Sequence, residues 1–177
     1  MVGLAEERRR ALGLGPSDDC LVVSVVQQTL DHFRHGRHLR AYRVSTARAG
    51  TGCVADSLRT PTGLHRVAER IGAGAPPGMV FKSRIPTGTL SADWPSPDDN
   101  LITTRILWLE GAEPGHNRGR DAEGRVVDTH DRYVYIHGTN QRAMLGRPNS
   151  HGCVLLSDED MLELFDATPS GADVYIG

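Results

Sequence analysis

Two short segments near the end of this 177-residue chain carry groups able to do covalent chemistry. Tyr135-Ile136-His137-Gly138-Thr139 ends an apolar stretch on a histidine. Ser150-His151-Gly152-Cys153 sets a cysteine beside a glycine. The two lie sixteen residues apart (153 − 137), enough for a loop to bring one back to the other. Acyl transfer needs a thiolate, a base to generate it and donors for the oxyanion. A free thiol has a pKa of about 8.5 and is mostly protonated at neutral pH, so an imidazole must take its proton. Gly152 would let an acyl carbonyl approach the backbone without a side-chain clash. The amides of Gly152 and Cys153 would then face the developing oxyanion. The Gly138 carbonyl would orient the His137 ring where other enzymes use a carboxylate, a Cys–His–carbonyl form of the nucleophile–base–orienter scheme.

Other readings of the same residues stay open. A cysteine taken alone is more often core than nucleophile, and a histidine more often a hydrogen-bonded scaffold. His151 fits a turn-supporting ring as well as a catalytic part. His116, His130, His137, His151 and Cys153 are chemically able to hold zinc, but their spacing matches no compact ligand pattern, so neither metal nor cofactor is expected. Cys20, Cys53 and Cys153 form no C-x-x-C pair. In an oxidising compartment Cys20 could pair with Cys53, although two free thiols are the more ordinary case. Trp108 lies in an apolar run and reads as core, and Trp94 as a possible groove wall. Arg8, Arg9 and Arg10 read as a solvated helix face.

The elements that must position these groups are mostly strands. Residues 5–14 give the only helical pattern near the start, a short helix or frayed arm within 1–19. Leu21–Val26, Thr29–Arg34 and Arg37–Ser45 read as strands, the last two joined at His35-Gly36. Leu64–Ile71, Met79–Ile85, Leu101–Leu109, Arg132–Ile136 and Ala172–Ile176 read as further strands. Residues 46–63, 86–100 and 111–128 read as loops, and loops of this length usually form functional walls. Ser157 followed by Asp160 starts one convincing helix, with Met161, Leu162, Leu164 and Phe165 on its apolar face. The fold class expected is mainly β, a sandwich or barrel of mixed sheets with one or two packed helices.

The totals narrow the function. Hydrophobic residues are 38% and charged residues 24%, consistent with one folded domain. A net charge of −2, from 20 Lys+Arg against 22 Asp+Glu, gives no electrostatic reason to expect nucleic acid. No window approaches the roughly 18 apolar residues of a membrane helix. The first residues show no apolar core of signal-peptide length.

HGT at 137–139, Gly146 and SHGCV at 150–154 resemble the YkuD-type L,D-transpeptidase catalytic domain. TPTG at 60–63, LRAYRVSTA at 39–47, ITTRILWL at 102–109 and the closing GADVYIG extend the likeness over roughly residues 20–177, which would be the catalytic domain. The resemblance implies a β-sandwich and a nucleophile, Cys153, that attacks the L,D-bond of a peptidoglycan tetrapeptide stem. It implies His137 as base, the Gly138 carbonyl as its orienter, and an oxyanion side shaped by His151, Gly152 and Cys153. Thr139, Ser150, Arg142, Arg147 and Tyr135 would contact substrate. The acyl group would pass to an amine, giving a 3→3 cross-link or protein attachment, or to water in a carboxypeptidase. A non-catalytic wall-peptide-binding module is the third possibility. Peptidoglycan stem peptides are the implied partners, carbapenem-type inhibitors possible ligands, and the cell envelope the implied location. One departure stands out. Many members carry Arg two residues after the cysteine, where this chain has Leu155, so Arg142, Arg147, Arg132 or Arg105 would have to bind a substrate carboxylate instead.

Overall fold

The computed structural model describes residues 2–96 and 98–177. Met1 of the expected arm and Pro97 of the expected 86–100 loop lie outside them. Strand β1 (Asp19–Ser24) is buried along its whole length. That is what a Leu-Val-Val run requires when both faces are covered. Leu21 and Val23 enter the main core, while Cys20 and Val22 pack on Ala5 of helix α1 (Val2–Ala11). The helix is therefore docked rather than frayed. Its Arg9 donates to Asp173, which sits in the interior.

β1 pairs with β2 (Thr29–Arg34), which pairs with β3 (Arg37–Arg43). His35 and Gly36 both take positive φ, 48° and 73°, as a two-residue primed turn demands. β10 (Asp173–Ile176) lies parallel to β1, and β4 (Gly63–Ile71) pairs with β10 and with β7 (Ile102–Gly111). β7 branches the sheet. It pairs with β5 (Met79–Lys82), which carries β6 (Ile85–Leu90), and with β8 (Tyr135–Gly138). β8 then runs parallel to β9 (Val154–Leu156). Ser45, two residues past β3, exchanges both backbone hydrogen bonds with Leu155 of β9, at 2.9 and 3.0 Å. The ten-stranded sheet thus curls until its two sides meet, enclosing one core with residues from β1–β4 and β7–β10.

Helix α2 (Asp158–Ala167) plugs that core. Ser157 accepts the Asp160 N–H at 3.1 Å, and three acidic residues occupy the first turn, where the helix dipole favours them. Met161, Leu164 and Phe165 are buried, worth roughly 2 kcal/mol each in area terms. The mainly β fold class is as expected, with 39% strand and two helices. Two element readings need correction. Met79–Ile85 is not one strand but β5 followed by the turn of the β5–β6 hairpin, with Ser83 and Arg84 at φ 47° and 71°. The first third of the expected 86–100 loop is in the outermost strand β6, where Pro86 is tolerated because no further strand needs its missing N–H. Arg132–Ile136 also starts two residues too early and stops short. Tyr133 has φ 55° and closes a turn, so β8 begins at Tyr135.

Candidate active site

The register of β8 on β9 decides which side chains meet. Ile136 lies opposite Val154 and both point into the main core. By alternation, Tyr135 and His137 face the other way, and Leu155 lies opposite His137. Cys153 precedes β9 and is level with Tyr135, whose N–H donates to Sγ at 3.4 Å. Sγ also reaches the Tyr133 carbonyl at 3.8 Å. Cys153 sits in the turn before β9, so its Sγ reaches the backbone of Tyr135 and Tyr133, two and four residues before His137 in the chain. In the resting structure no hydrogen bond joins Sγ to the His137 ring among the described residues. Such contacts often tighten only with substrate.

The ring itself is fixed. His137 is 3% exposed, and its Nδ1 donates to the Gly138 carbonyl at 2.8 Å. That leaves the Nε2 lone pair as the basic position. Gly138 is glycine for want of room. A Cβ there would lie 2.8 Å from the Asp158 carboxylate, the Thr103 carbonyl and the Thr103 hydroxyl. Asp158 accepts from Thr103 Oγ1 at 2.6 Å and from Thr104 Oγ1, which ties α2 to β7 behind this carbonyl. Thr104 sits at φ 67°, rare for a β-branched residue, where the β7–β8 register shifts.

The cysteine turn is held by Ser150, whose hydroxyl donates to the Cys153 carbonyl at 2.6 Å and accepts the Gly152 N–H at 3.1 Å. Gly152 adopts φ 138°, a conformation that disfavours any side chain, and faces the Arg59 carbonyl. The Gly152 amide is thus engaged at rest, and the two-amide oxyanion arrangement read from sequence is not preassembled.

Burial sets the protonation. It pushes the Cys153 thiol up to about 11, partly offset by the Tyr135 N–H and by Arg132. It lowers His137 to about 4, against the Gly138 hydrogen bond. The resting pair is a neutral thiol and a neutral imidazole. The cause is packing: Cys153 borders a small apolar cluster of Met79, Phe81, Ile106, Trp108 and Tyr135 under the β5–β6 hairpin.

A groove of about 240 Å³ opens next to the cysteine turn, lined by Asp56, Leu58, Asp131, Arg132, Tyr133 and His151 among others, with neither Cys153 nor His137 in its wall. Arg132 forms one wall, donating to the carbonyls of Gly52, Cys53 and Arg59 at 3.2, 2.9 and 2.7 Å. A larger hollow of about 600 Å³ lies by α1 and the β2–β3 turn, but it holds no nucleophile beside a base. Among the described residues no three His, Cys, Asp or Glu side chains converge as metal ligands. Cys20 and Cys53 are free thiols, so the possible disulfide is not formed.

The structure brings Cys153, His137, Gly138, Tyr135, Ser150, Gly152 and His151 together. It does not bring Thr139, Arg142 or Arg147 to the groove wall. Thr139 is buried and its hydroxyl accepts the Gln141 N–H at 3.1 Å, a turn contact. Arg142 is ion-paired with Glu159 at 2.8 Å, and Arg147 is exposed. Sequence reading missed Leu58, Tyr133 and Arg84. All three take positive φ without being glycine, which no composition signal reveals.

The profile of the YkuD family, the L,D-transpeptidase catalytic domain, matches residues 18–176. A putative L,D-transpeptidase of Bacillus subtilis, YqjB, is 32% identical over 69 residues, covering 38% of this chain and 39% of that protein. Among solved structures, L,D-transpeptidase 3 from Mycobacterium tuberculosis, in complex with a faropenem-derived adduct, superimposes with a TM-score of 0.55 at 18% identity. It covers 92% of this chain and 61% of its own. An L,D-transpeptidase from Xylanimonas cellulosilytica gives 0.54 at 18% identity, covering 97% and 68%. The chain spans about two fifths of the curated relative's length and about three fifths of the mycobacterial structure's. No helix is long and apolar enough to cross a membrane among the described residues.

Proposed function

Because the chain belongs to the L,D-transpeptidase catalytic domain family, we propose that it is a cysteine acyltransferase acting on peptidoglycan stem peptides, with Cys153 as nucleophile and His137 as base. One observation carries the reading: Sγ of Cys153 accepts the Tyr135 N–H of β8, two residues before His137, whose ring is held by Gly138 so that Nε2 is its free nitrogen. The neutral resting pair makes His137 a general base that acts as attack occurs, rather than half of a standing ion pair. Sγ attacks the carbonyl of the L,D-bond while its proton moves to Nε2. The tetrahedral intermediate collapses as that proton passes to the departing D-residue's amine. A thioester remains on Cys153. An acceptor amine, or water, then releases the acyl group and restores the thiol.

The groove next to the cysteine turn supports a peptide substrate, since Leu58 and Tyr133 are each 55% exposed there and offer apolar contact. The cell envelope, where such peptides occur, is the proposed location. Penem and carbapenem compounds are proposed inhibitors, because they acylate the same kind of thiol. Incubation with a purified tetrapeptide stem and an amine acceptor tests the reading by mass spectrometry of the products. Dimers support transfer and tripeptide alone supports the carboxypeptidase form. An unchanged tetrapeptide, or equal turnover by Cys153→Ala, overturns the enzymatic reading.

A further inference from the structure

Position 155, two residues past the nucleophile, has no cation. Leu155 is buried and its backbone closes the sheet against Ser45. The arginines that sequence offers in its place are engaged elsewhere or displaced. Arg105 is buried, donating to the carbonyls of Ala75 and Thr104 at 2.8 and 2.6 Å. Arg132 serves three loop carbonyls. Arg142 is paired with Glu159, and among the described residues no contact joins the exposed Arg147 to the tyrosines that touch Sγ.

Arg84 is different. It stands at the tip of the β5–β6 hairpin, and its guanidinium carbon lies 4.3 Å from the Trp108 ring centre and 5.0 Å from that of Tyr133. Nη1 donates to the Tyr135 hydroxyl at 2.9 Å. Among the described residues no carboxylate lies within ion-pair distance of it, although Glu69 is near enough to favour its charge. The same two tyrosines reach the nucleophile: Tyr135 through its N–H and Tyr133 through its carbonyl. The cation and Sγ therefore contact opposite ends of Tyr135, its hydroxyl and its amide, which puts both within reach of one short peptide. Ser83 and Arg84 are the two central residues of this hairpin and take the positive φ that a two-residue primed turn demands.

We propose that Arg84 is the carboxylate anchor of this site, binding the terminal carboxylate of the D-residue that leaves when Cys153 attacks. The aromatic pair Trp108 and Tyr133 holds the guanidinium flat, and its free edge presents two parallel donors to the carboxylate. This rests on the peptide-donor reading above.

The test compares two tetrapeptide donors, one ending in a carboxylate and one in a carboxamide. In the wild-type protein kcat/KM favours the carboxylate donor by about 10- to 100-fold, the worth of a charge-assisted hydrogen bond. Arg84→Gln collapses that ratio towards one, mainly through KM, and Arg84→Lys restores part of it. A ratio unchanged in Arg84→Gln overturns the inference, because a merely structural arginine would slow both donors alike. Alkylation of Cys153 by iodoacetate and by iodoacetamide, read on its own peptide, separates this from failure of the donor reading. If neither tetrapeptide is turned over, the donor reading falls and the alkylation ratio alone decides the anchor. A several-fold loss of iodoacetate preference in Arg84→Gln supports it, and no change refutes it.

Discussion

Because burial holds the Cys153 thiol up at about 11, it should be a slow nucleophile toward reagents that bring no carbonyl for it to attack. At pH 8 the thiolate fraction is then about 10⁻³, against roughly a quarter for a free thiol of pKa about 8.5. The more basic thiolate is intrinsically more reactive. A pKa difference of about 2.5 units with a Brønsted coefficient of about 0.4–0.5 returns roughly tenfold. The net expectation is iodoacetamide alkylation about 20-fold slower than a free cysteine at pH 8, rising close to tenfold per pH unit through pH 10. Peptide-resolved mass spectrometry of alkylation against pH measures this, with Cys20, also pushed up to about 11 by burial, as an internal comparison. His137→Ala should leave this resting profile within a few-fold while lowering acyl turnover by about 10²-fold or more, since only turnover uses the base. An alkylation rate that plateaus between pH 5 and 8 would mean a thiolate–imidazolium pair, and would refute the neutral resting state.

Gly138→Ala puts a methyl 2.8 Å from Asp158 and from two Thr103 oxygens, so it should destabilise by about 1–3 kcal/mol and cut turnover further by turning the carbonyl that holds His137. Gly15→Ala, with open space around its Cβ, should shift Tm little, which thermal melts of the two variants can compare. His65 and His137 are both buried with pKa lowered to about 4, His65 mainly by desolvation despite accepting partners for its ring. Their folded values lie below the unfolded value of 6.5, so their contribution is complete above pH 6.5 and is lost as pH falls towards 4. Each contributes a loss of about 3 kcal/mol by pH 4 (6.5 − 4 = 2.5 units). Urea unfolding at pH 7, 5.5 and 4.5 should show this slope, and His65→Asn should remove about half of it; a flat profile would contradict the burial assignment.

Much of the scaffold was legible because local signals there agree with tertiary ones. The His35-Gly36 turn and the Ser157 cap each form where their residue types direct, and the run at 21–26 yields a strand two residues earlier, Asp19–Ser24, with Val25 and Val26 in the next turn. The proposed nucleophile and base were legible as types, HGT and SHGC, and the parallel pairing of β8 with β9 brings their segments side by side. What could not be read depends on backbone conformations with no residue signature. Ser83, Arg84, Thr104 and Tyr133 hold positive φ only because β7, the hairpin and the cysteine turn constrain them from several sides. Pro86 argued for a loop because sequence does not reveal which strand is outermost. Arg142 drew attention as a cation near the motif, but charge alone did not show that Glu159 on α2 claims it. Leu155 looked like a defect in the motif, whereas its backbone seals the sheet at Ser45.

The most direct measurement is the intact mass of the protein quenched during reaction with a tetrapeptide stem, followed by mapping of the modified peptide. A covalent adduct equal to the donor minus its terminal residue, on the peptide containing Cys153 and absent from Cys153→Ala, is the predicted result. An adduct elsewhere, or turnover that continues without that sulfur, would contradict the account.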